Sequence, residues 1–392
     1  MSVGGGYACA VVASGAIWCW GSNYYGTLDN GTTGLDNSSP VPVQVSGISN
    51  AVTVSAGPVH ACAILGTGTV KCWGSNEGGL IGDGTTTWRS TPVDVPGLSG
   101  ISAITTNSVH SCAVLSATGA MKCWGSNGDG QLGDGTTTGR TTPVDVIGVT
   151  GVVEAGAGLR HTCARFGDGT VKCWGFNNLG TLGDGTNDSS TSPVSVVGLT
   201  GTKGLVASFG HNSVITSTDT VKCWGWNQNG QLGDGTVINR STPVDVPVLP
   251  QSETGATTSA TTLDVASISA GSNSSCALIS DGSAKCWGDT SAGLVGTGGG
   301  NTTKSPAPVN GGARFYGAPL PPTSLYVPIV PCRVVDTRQG GGKLNNREIR
   351  AYQIAGSGPA FAAQGGLPGG CDIPTGAVAV EASITAVSPS TG

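Results

Sequence analysis

Residues 156–201 read GAGLRHTCARFGDGTVKCWGFNNLGTLGDGTNDSSTSPVSVVGLTG, and versions of this stretch recur along most of the chain. Its Cys-Trp-Gly tripeptide occurs six times, with the cysteine at positions 19, 72, 123, 173, 223 and 286. The steps between successive copies are 53, 51, 50, 50 and 63 residues, and a Ser/Thr-rich insert at 251–260 lengthens the last step. Self-similarity with a period of about fifty residues is typical of a solenoid, a propeller or another repeat array.

Each repeat contains about four short stretches that favour β-strands. In the quoted copy, residues 161–166 and 170–174 flank the turn Gly167-Asp168-Gly169, which is typical of a β-hairpin. Residues 193–196 form a third expected strand that begins with its proline, and the apolar stretch 205–207 supplies a fourth. Because no helical periodicity accompanies them, the pattern predicts an all-β chain of four-stranded propeller blades. A β-solenoid fits less well, since its periods are usually shorter.

The segments His-Thr-Cys-Ala, Gly-x-Val-x-Cys-Trp-Gly-x-Asn, Gln-Leu-Gly-Asp-Gly-Thr and Thr-Pro-Val-x-Val resemble the repeats of the regulator-of-chromosome-condensation family. The resemblance covers residues 1 to about 317, and it implies a β-propeller, typically of seven blades, with sequence repeats offset from the blades. We therefore expect five blades that each run from a Pro-Val strand to the next Cys-Trp-Gly strand. In a sixth, residues 306–309 would complete the strands of residues 1–23. Six copies leave two alternatives, which are a repeat missing upstream and a six-bladed ring.

The cysteines predict a staple within each hairpin. In five repeats one cysteine precedes the turn and one follows it at a similar distance, so that the two face each other. The pairs are Cys9–Cys19, Cys62–Cys72, Cys112–Cys123, Cys163–Cys173 and Cys276–Cys286. Disulfides here would each contribute roughly 2.5–3 kcal/mol and would indicate an oxidising compartment. Buried thiols are the alternative, whereas zinc is disfavoured because no Cys-x-x-Cys occurs.

The fifth repeat departs from the cysteine pattern. It has Ser213 where the other repeats have their first cysteine, which leaves Cys223 without a partner. We therefore predict a free and mostly buried thiol at Cys223.

The overall composition argues against several functions. Charged residues make up 10% of the chain and the formal net charge is −5, so the basic surface that nucleic acid requires is not expected. The sequence contains no apolar run of membrane-spanning length and no signal peptide. Because residues 1–5 begin inside a repeat, we expect the sequence to be a fragment of a longer gene product.

Residue types that could carry chemistry follow the repeat, which indicates structural roles. The histidines share one repeat position, which Tyr7 and Ser274 or Ser275 take elsewhere, so we expect hydrogen bonds between blades in preference to a metal ring. These histidines are His60, His110, His161 and His211. The Leu-Gly-Asp-Gly-Thr loops carry Asp83, Asp134, Asp184 and Asp234. For these loops turn formation is favoured over calcium binding. No nucleophile has a nonrepeated histidine partner, so we predict no catalytic residue, no cofactor and no metal site.

Aromatic residues that do not repeat are the candidates for binding. The repeated tryptophans of Cys-Trp-Gly are expected in the core or between blades. Other large apolar residues occupy positions that vary among repeats, and exposed aromatics at such positions are what a binding surface uses. The predicted binding residues are Tyr24, Tyr25, Trp88, Phe176, Leu179 and Trp226.

The chain is predicted to contain a propeller at 1–317, a Pro-rich linker at 318–324 and a partial β module at 325–392. The motif Pro-Cys-Arg-x-x-Asp-Thr-Arg at 331–338 resembles a β-sandwich module of bacterial exported proteins. In that module Cys332 and Cys371 would close one long loop, and the charged residues of the motif are expected to form a local ion-pair network.

These observations predict an exported or cell-surface scaffold for recognition or adhesion, and not an enzyme. Its partner would be a protein or a glycan bound through a loop face, without nucleic acid and without membrane insertion. The resemblance extends to propellers of this class that inhibit β-lactamases through one face. The alternatives are a guanine-nucleotide exchange or chromatin-associated regulator, as in eukaryotic members of the family, and a structural surface or fibre component.

Overall fold

The computed structural model describes residues 1–309 except residues 30, 248–263, 281 and 292–301. Within these residues, 24 strands form six antiparallel sheets of four strands each. The only helical elements described are two short 3-10 turns, Leu35–Asn37 and Glu77–Gly79. The prediction of an all-β propeller with four-stranded blades is confirmed, and six blades are present.

Each blade consists of four strands that are consecutive in the chain. Blade one contains β1 (Ser2–Val3), β2 (Tyr7–Val11), β3 (Ile17–Gly21) and β4 (Ser39–Gln44). Blade two contains β5 (Ala51–Ala56), β6 (His60–Leu65), β7 (Val70–Gly74) and β8 (Arg89–Asp94). Blade three contains β9 (Ile101–Thr106), β10 (His110–Leu115), β11 (Met121–Gly125) and β12 (Arg140–Asp145).

The second half of the propeller repeats this plan. Blade four contains β13 (Val152–Ala157), β14 (His161–Phe166), β15 (Val171–Gly175) and β16 (Ser190–Ser195). Blade five contains β17 (Gly204–Ala207), β18 (His211–Ile215), β19 (Val221–Gly225) and β20 (Arg240–Asp245). Blade six contains β21 (Val265–Ala270), β22 (Ser274–Ile279), β23 (Ala284–Gly288) and β24 (Thr303–Pro308).

The grouping of strands into blades differs from the prediction. Each Pro-Val strand pairs with the Cys-Trp-Gly strand of its own repeat, as Cys72 opposite Val93 shows. Strand β24 likewise pairs with β23 and does not complete residues 1–23, so the predicted offset between repeats and blades is wrong. The physical reason is that the loop after each Cys-Trp-Gly strand reverses the chain, so that the Pro-Val strand that follows pairs with this same Cys-Trp-Gly strand.

The proline of each Pro-Val strand also lies elsewhere than expected. Pro193 is the fourth residue of β16 and not the first residue of a strand. Strand β16 is the last in the order of its sheet, so it has one unpaired edge. A proline without an N–H is tolerated at such an edge.

Consecutive blades are joined by apolar clusters anchored on tryptophan. Five clusters join blade one to two, two to three, three to four, four to five and five to six. At each junction an indole N–H donates to a backbone carbonyl of the preceding blade, as Trp124 Nε1 does to Leu80 O at 2.8 Å. Trp73, Trp174, Trp224 and Trp287 do the same toward Thr27, Gln131, Thr181 and Gln231. The predicted core role of these tryptophans is confirmed.

The junction between blade six and blade one differs from these five. No apolar cluster of the described residues joins the two blades. Trp20, which has the anchor position in blade one, is only partly buried, and its indole N–H has no hydrogen-bond acceptor among the described residues. Ala10 and Ala284 are likewise partly exposed, although the matching residues of the inner blades are buried. The described part of the propeller therefore has two free blade faces.

Five disulfides connect the two central strands of blades one, two, three, four and six. They join the five cysteine pairs predicted above, and the Cα atoms of each pair are 4.1 Å apart. In blade five, Cys223 is free and buried, and Ser213 Oγ lies 3.0 Å from its sulfur. The predicted Cys332–Cys371 pair, the linker and the module at 325–392 lie outside the described residues.

Candidate binding face

In each blade a loop of 14 or more residues follows the third strand. The first and third strands run in the same direction, so the loops that follow them emerge together on what we call the upper face. The loops after the second and fourth strands form the lower face. All six predicted binding residues lie in the loops of the upper face, which brings them to one side of the molecule.

A buried asparagine holds the loop after the third strand in blades one to five. In blade five, Asn227 Oδ1 accepts from the backbone N–H of Leu232 at 2.9 Å. Its Nδ2 donates to Asp234 Oδ1 and to the carbonyl of Ile238, both at 3.1 Å. Asn76, Asn127 and Asn177 make corresponding bonds in blades two, three and four. The upper-face loops therefore have a fixed backbone, on which variable side chains can be presented without a large ordering cost.

The repeated loop aspartates are structural. Asp83 Oδ1 accepts from the backbone N–H of Thr85 at 2.9 Å, and its other oxygen accepts from Arg89 Nε at 2.7 Å. Asp134–Arg140 and Asp234–Arg240 repeat the ion pair. Partial burial works against ionisation of Asp83, but the hydrogen bonds from Thr85 and Arg89 outweigh it and lower the pKa. The predicted turn-forming role agrees with these contacts.

The histidines link neighbouring blades. His110 Nε2 lies 2.8 Å from Thr162 Oγ1 of the next blade, and His60, His161 and His211 make equivalent contacts with Ser111, Asn212 and Ser275. All four imidazoles are buried, and the Nδ1 atoms of His60, His110 and His211 have no hydrogen-bond partner in the structure. Burial lowers the pKa of His110 to about 3, so these side chains are neutral connectors and not acid–base groups.

The most prominent apolar surface of the upper face lies on blades four and five. Phe209 and Trp226 pack with ring centroids 6.1 Å apart, and Phe209 is 44% exposed. Gly210 makes room for the indole, because a Cβ at this position would lie 3.3 Å from the Trp226 side chain. The backbone N–H of Leu159 in blade four donates to the carbonyl of Phe209, which ties the two blades together here.

Blade four extends this surface with a charged and an aromatic side chain. The guanidinium of Arg160 lies 4.7 Å from the ring centroid of Phe176. The same guanidinium donates to both carboxylate oxygens of Asp129, at 2.7 and 2.8 Å. We call Leu159, Arg160, Phe176, Phe209 and Trp226 the blade four–five patch.

The patch departs from the repeat pattern. The position of Phe176 and Trp226 is occupied in the other blades by Ser22, Ser75, Ser126 and Asp289. The fold therefore does not require an aromatic residue there, and large rings occur in two adjacent blades only. Aromatic and arginine side chains are the residues most enriched in interface hot spots.

A second aromatic group connects blades one and two. Tyr25 lies between Tyr24 and Trp88, with ring centroids 4.8 and 5.5 Å away. Tyr24 is 48% exposed and Trp88 41% exposed, whereas Tyr25 is partly buried between them. The structure thus separates the six predicted residues into this group and the pair Phe176 and Trp226, while Leu179 is partly buried in the loop of blade four.

Sequence reasoning missed Phe209, Arg160 and Ile238. Phe209 stands at a loop position where blade four has Leu159 and the remaining repeats have Gly5, Pro58, Ser108 and Ser272, so its departure from those four was a usable signal. Ile238 is 61% exposed in the loop held by Asn227. Arg160 directly precedes a repeated histidine, which drew attention away from it.

Metal-binding groups and membrane-spanning helices are both absent from the described residues. They contain no group of three or more His, Cys, Asp or Glu side chains arranged to hold a metal ion. No helix in this part of the chain has the length and apolar character needed to cross a membrane.

The described residues form a propeller of repeated blades whose upper face combines loops of fixed backbone with aromatic side chains that the repeat does not require. More specifically, the chain belongs to the RCC1-like domain family, whose model matches residues 1–318.

Similar proteins differ widely in size. The human E3 ubiquitin-protein ligase HERC2 is 35% identical over 86 residues, which cover 21% of this chain and 2% of that protein. The chain therefore spans only a small part of that relative's length.

Among solved structures, human WBSCR16 has a TM-score of 0.67 at 19% identity, covering 80% of this chain and 81% of that one. Prp20p from Saccharomyces cerevisiae, described with its binding properties to Gsp1p and histones, has a TM-score of 0.66 at 21% identity. That match covers 79% of this chain and 76% of Prp20p. At these identities the likeness shows the fold alone.

Proposed function

We propose that this chain is an exported or cell-surface scaffold that binds a protein partner through its upper face, with the blade four–five patch as the principal contact. The observation that carries the proposal is the contact between the exposed Phe209 and the partly buried Trp226, at positions where blades one, two, three and six have glycine, proline, serine or aspartate. Aromatic rings bury a large apolar area in an interface and are enriched among hot-spot residues.

The disulfides support the assignment to an oxidising compartment. Five of the six blades have one, each within a hairpin that is already paired by backbone hydrogen bonds. Such bonds persist in exported proteins and are rare where glutathione and thioredoxin keep thiols reduced. The resemblance of residues 331–338 to a module of bacterial exported proteins points the same way.

An intracellular regulator is the second candidate, because Prp20p is described with Gsp1p and histones. At 21% identity that likeness extends to the fold and not to the partner. The disulfides and the acidic net charge of −5 favour the exported scaffold over a regulator bound to chromatin.

The binding test compares variants of the full chain as baits for proteins and glycans from its own source. Trp226→Ala and Phe209→Ala should each reduce capture strongly, whereas Val52→Ala, which changes an exposed residue at the lower end of β5, should leave it unchanged. The Trp88→Ala variant measures how much the second aromatic group contributes to capture. If the variant with both Trp226→Ala and Phe209→Ala still captures its partner, the chosen patch is refuted. If the chain captures glycans and no protein, the proposed protein partner is refuted.

The compartment test is separate. Peptide mapping of the chain isolated from its source, alkylated before reduction, should find the ten hairpin cysteines oxidised and Cys223 reduced. If all these cysteines are reduced, export is contradicted. The assignment of the binding face would not be affected, because the binding test decides it separately.

A further inference from the structure

The charges of the propeller are concentrated on the upper face. Its described loops contain ten acidic residues and one arginine, and three more arginines begin the neighbouring strands, an excess of six negative charges. The acidic residues are Asp29, Asp36, Glu77, Asp83, Asp129, Asp134, Asp184, Asp188, Asp234 and Asp289. The described loops of the lower face contain Asp168, Asp219 and Asp264 against Lys203, an excess of two.

All four arginines of the upper face are already occupied. Arg89, Arg140 and Arg240 pair with the loop aspartates of their own blades. Arg160 gives two hydrogen bonds to Asp129. A carboxylate on a partner would therefore have to displace an existing ion pair to reach an arginine. A cationic group would instead meet carboxylates that are not paired with an arginine.

Two of these carboxylates belong to blades that carry or adjoin the blade four–five patch. Asn177, the residue after Phe176, donates to the backbone carbonyl of Asp188 at 3.1 Å, which places the exposed Asp188 beside the patch. On the other side, Asp289 occupies in blade six the position that Trp226 occupies in blade five. Its Oδ1 accepts from the backbone N–H of Ser291 at 2.8 Å.

We propose that the partner segment combines an apolar anchor, which packs on Phe209 and Trp226, with lysine or arginine side chains that reach Asp188 and Asp289. This inference rests on the proposed function and adds the chemistry of the ligand. Aromatic rings favour such a segment twice, because their faces attract cations as well as apolar groups. The acidic surround would speed association with a basic partner and disfavour an acidic one.

The test uses three fluorescein-labelled peptides of equal length as probes, each with a central Leu-Phe pair. One is flanked by lysines, one by serines and one by glutamates. Fluorescence anisotropy with the full chain should give about tenfold tighter binding of the lysine peptide than of the serine peptide at low salt, and no measurable binding of the glutamate peptide. This preference should fall to about twofold in about 0.5 M salt, because exposed charges are then screened.

Matched variants assign the effect to residues. Replacing Asp188 and Asp289 by Asn should remove most of the lysine preference, whereas the same change at Asp168 and Asp264 of the lower face should leave it intact. Replacing Phe209 and Trp226 by Ala should weaken the lysine and serine peptides alike.

The outcomes separate this inference from the proposed function. Equal affinity for the lysine and serine peptides, or a lysine preference that survives the Asp188 and Asp289 changes, would overturn the basic ligand and leave the patch standing. Binding that is unaffected by the Phe209 and Trp226 changes would refute the patch itself. Absence of binding by every peptide at millimolar concentration would overturn the inferred ligand.

Discussion

Blade five offers a direct measurement of what a hairpin disulfide contributes. It has Ser213 opposite Cys223, in the register that joins cysteines in the other five blades. Ser213 Oγ already lies 3.0 Å from Cys223 Sγ, and both side chains are buried. The substitution Ser213→Cys should therefore form a sixth disulfide without movement of the backbone.

The gain can be estimated from the length of the closed loop. For a sequence separation of 10, as in Cys163–Cys173, the chain-entropy relation gives about 2.8 kcal/mol. The new bond replaces the contact between the serine hydroxyl and the thiol, which is worth about 0.5–1.5 kcal/mol. The expected net increase in the free energy of unfolding is about 1.3–2.3 kcal/mol.

The assay is urea unfolding of the Ser213→Cys variant and the parent chain, combined with mass spectrometry of alkylated thiols. The variant should show no alkylation at Cys223 and a higher midpoint, and amide exchange should slow mainly in β18 and β19. Ser213→Ala is the control, because it removes the hydroxyl without adding a bond. If the disulfide forms and the free energy of unfolding rises by less than about 0.5 kcal/mol, the entropic account of the hairpin staples is wrong.

Three further predictions use matched positions in the repeat. Trp124→Ala should lower the free energy of unfolding by about 3–5 kcal/mol, because it leaves a cavity in a buried blade junction. Trp20→Ala should lower it by less than about 1.5 kcal/mol, because Trp20 is only partly buried. Equal losses in urea titrations would contradict the free face on blade one. Gly133→Ala should destabilise the chain by about 2 kcal/mol more than Gly148→Ala. Both glycines have positive φ, but only at Gly133 would a Cβ lie 2.7 Å from a buried indole. Calorimetry of the two variants measures this difference. The pKa of His110 is lowered to about 3 in the folded chain from 6.5, so its contribution to stability is complete above pH 6.5 and falls as the pH drops toward 3, by about 2 kcal/mol at pH 5. The slope of stability against pH should be smaller in His110→Gln, and an unchanged slope would show that this histidine is not the titrating group.

Features that repeat were predictable from the sequence, because the same position can be compared across six copies and a structural role must fit all of them. The cysteine pairs, the free Cys223 and the structural histidines all follow from comparing one position across six repeats. The division into blades was not predictable in the same way. A period shows where the unit recurs but not where it begins, so the Pro-Val strand could be assigned to either neighbouring blade.

The binding surface was only half predictable, for a related reason. A nonrepeated aromatic residue is visible in the sequence, but whether it meets another depends on contacts between blades. Phe209 and Trp226 lie 17 positions apart in the chain, and their contact depends on Gly210 leaving space for the indole. Tyr25 and Trp88 come together from two different blades through the same kind of arrangement.

The free faces on blades one and six have a consequence for how the molecule opens. In a closed ring every blade has two neighbours and no blade can leave before the others. Among the described residues the blade junctions form a line with two ends, because blades one and six each share an apolar cluster with one neighbouring blade. Stability in such a line is a sum of unit and nearest-neighbour contributions, and opening starts at the ends. Amide protection should therefore rise from either end toward blades three and four, so the blade four–five patch lies between the most protected blades and the end at blade six.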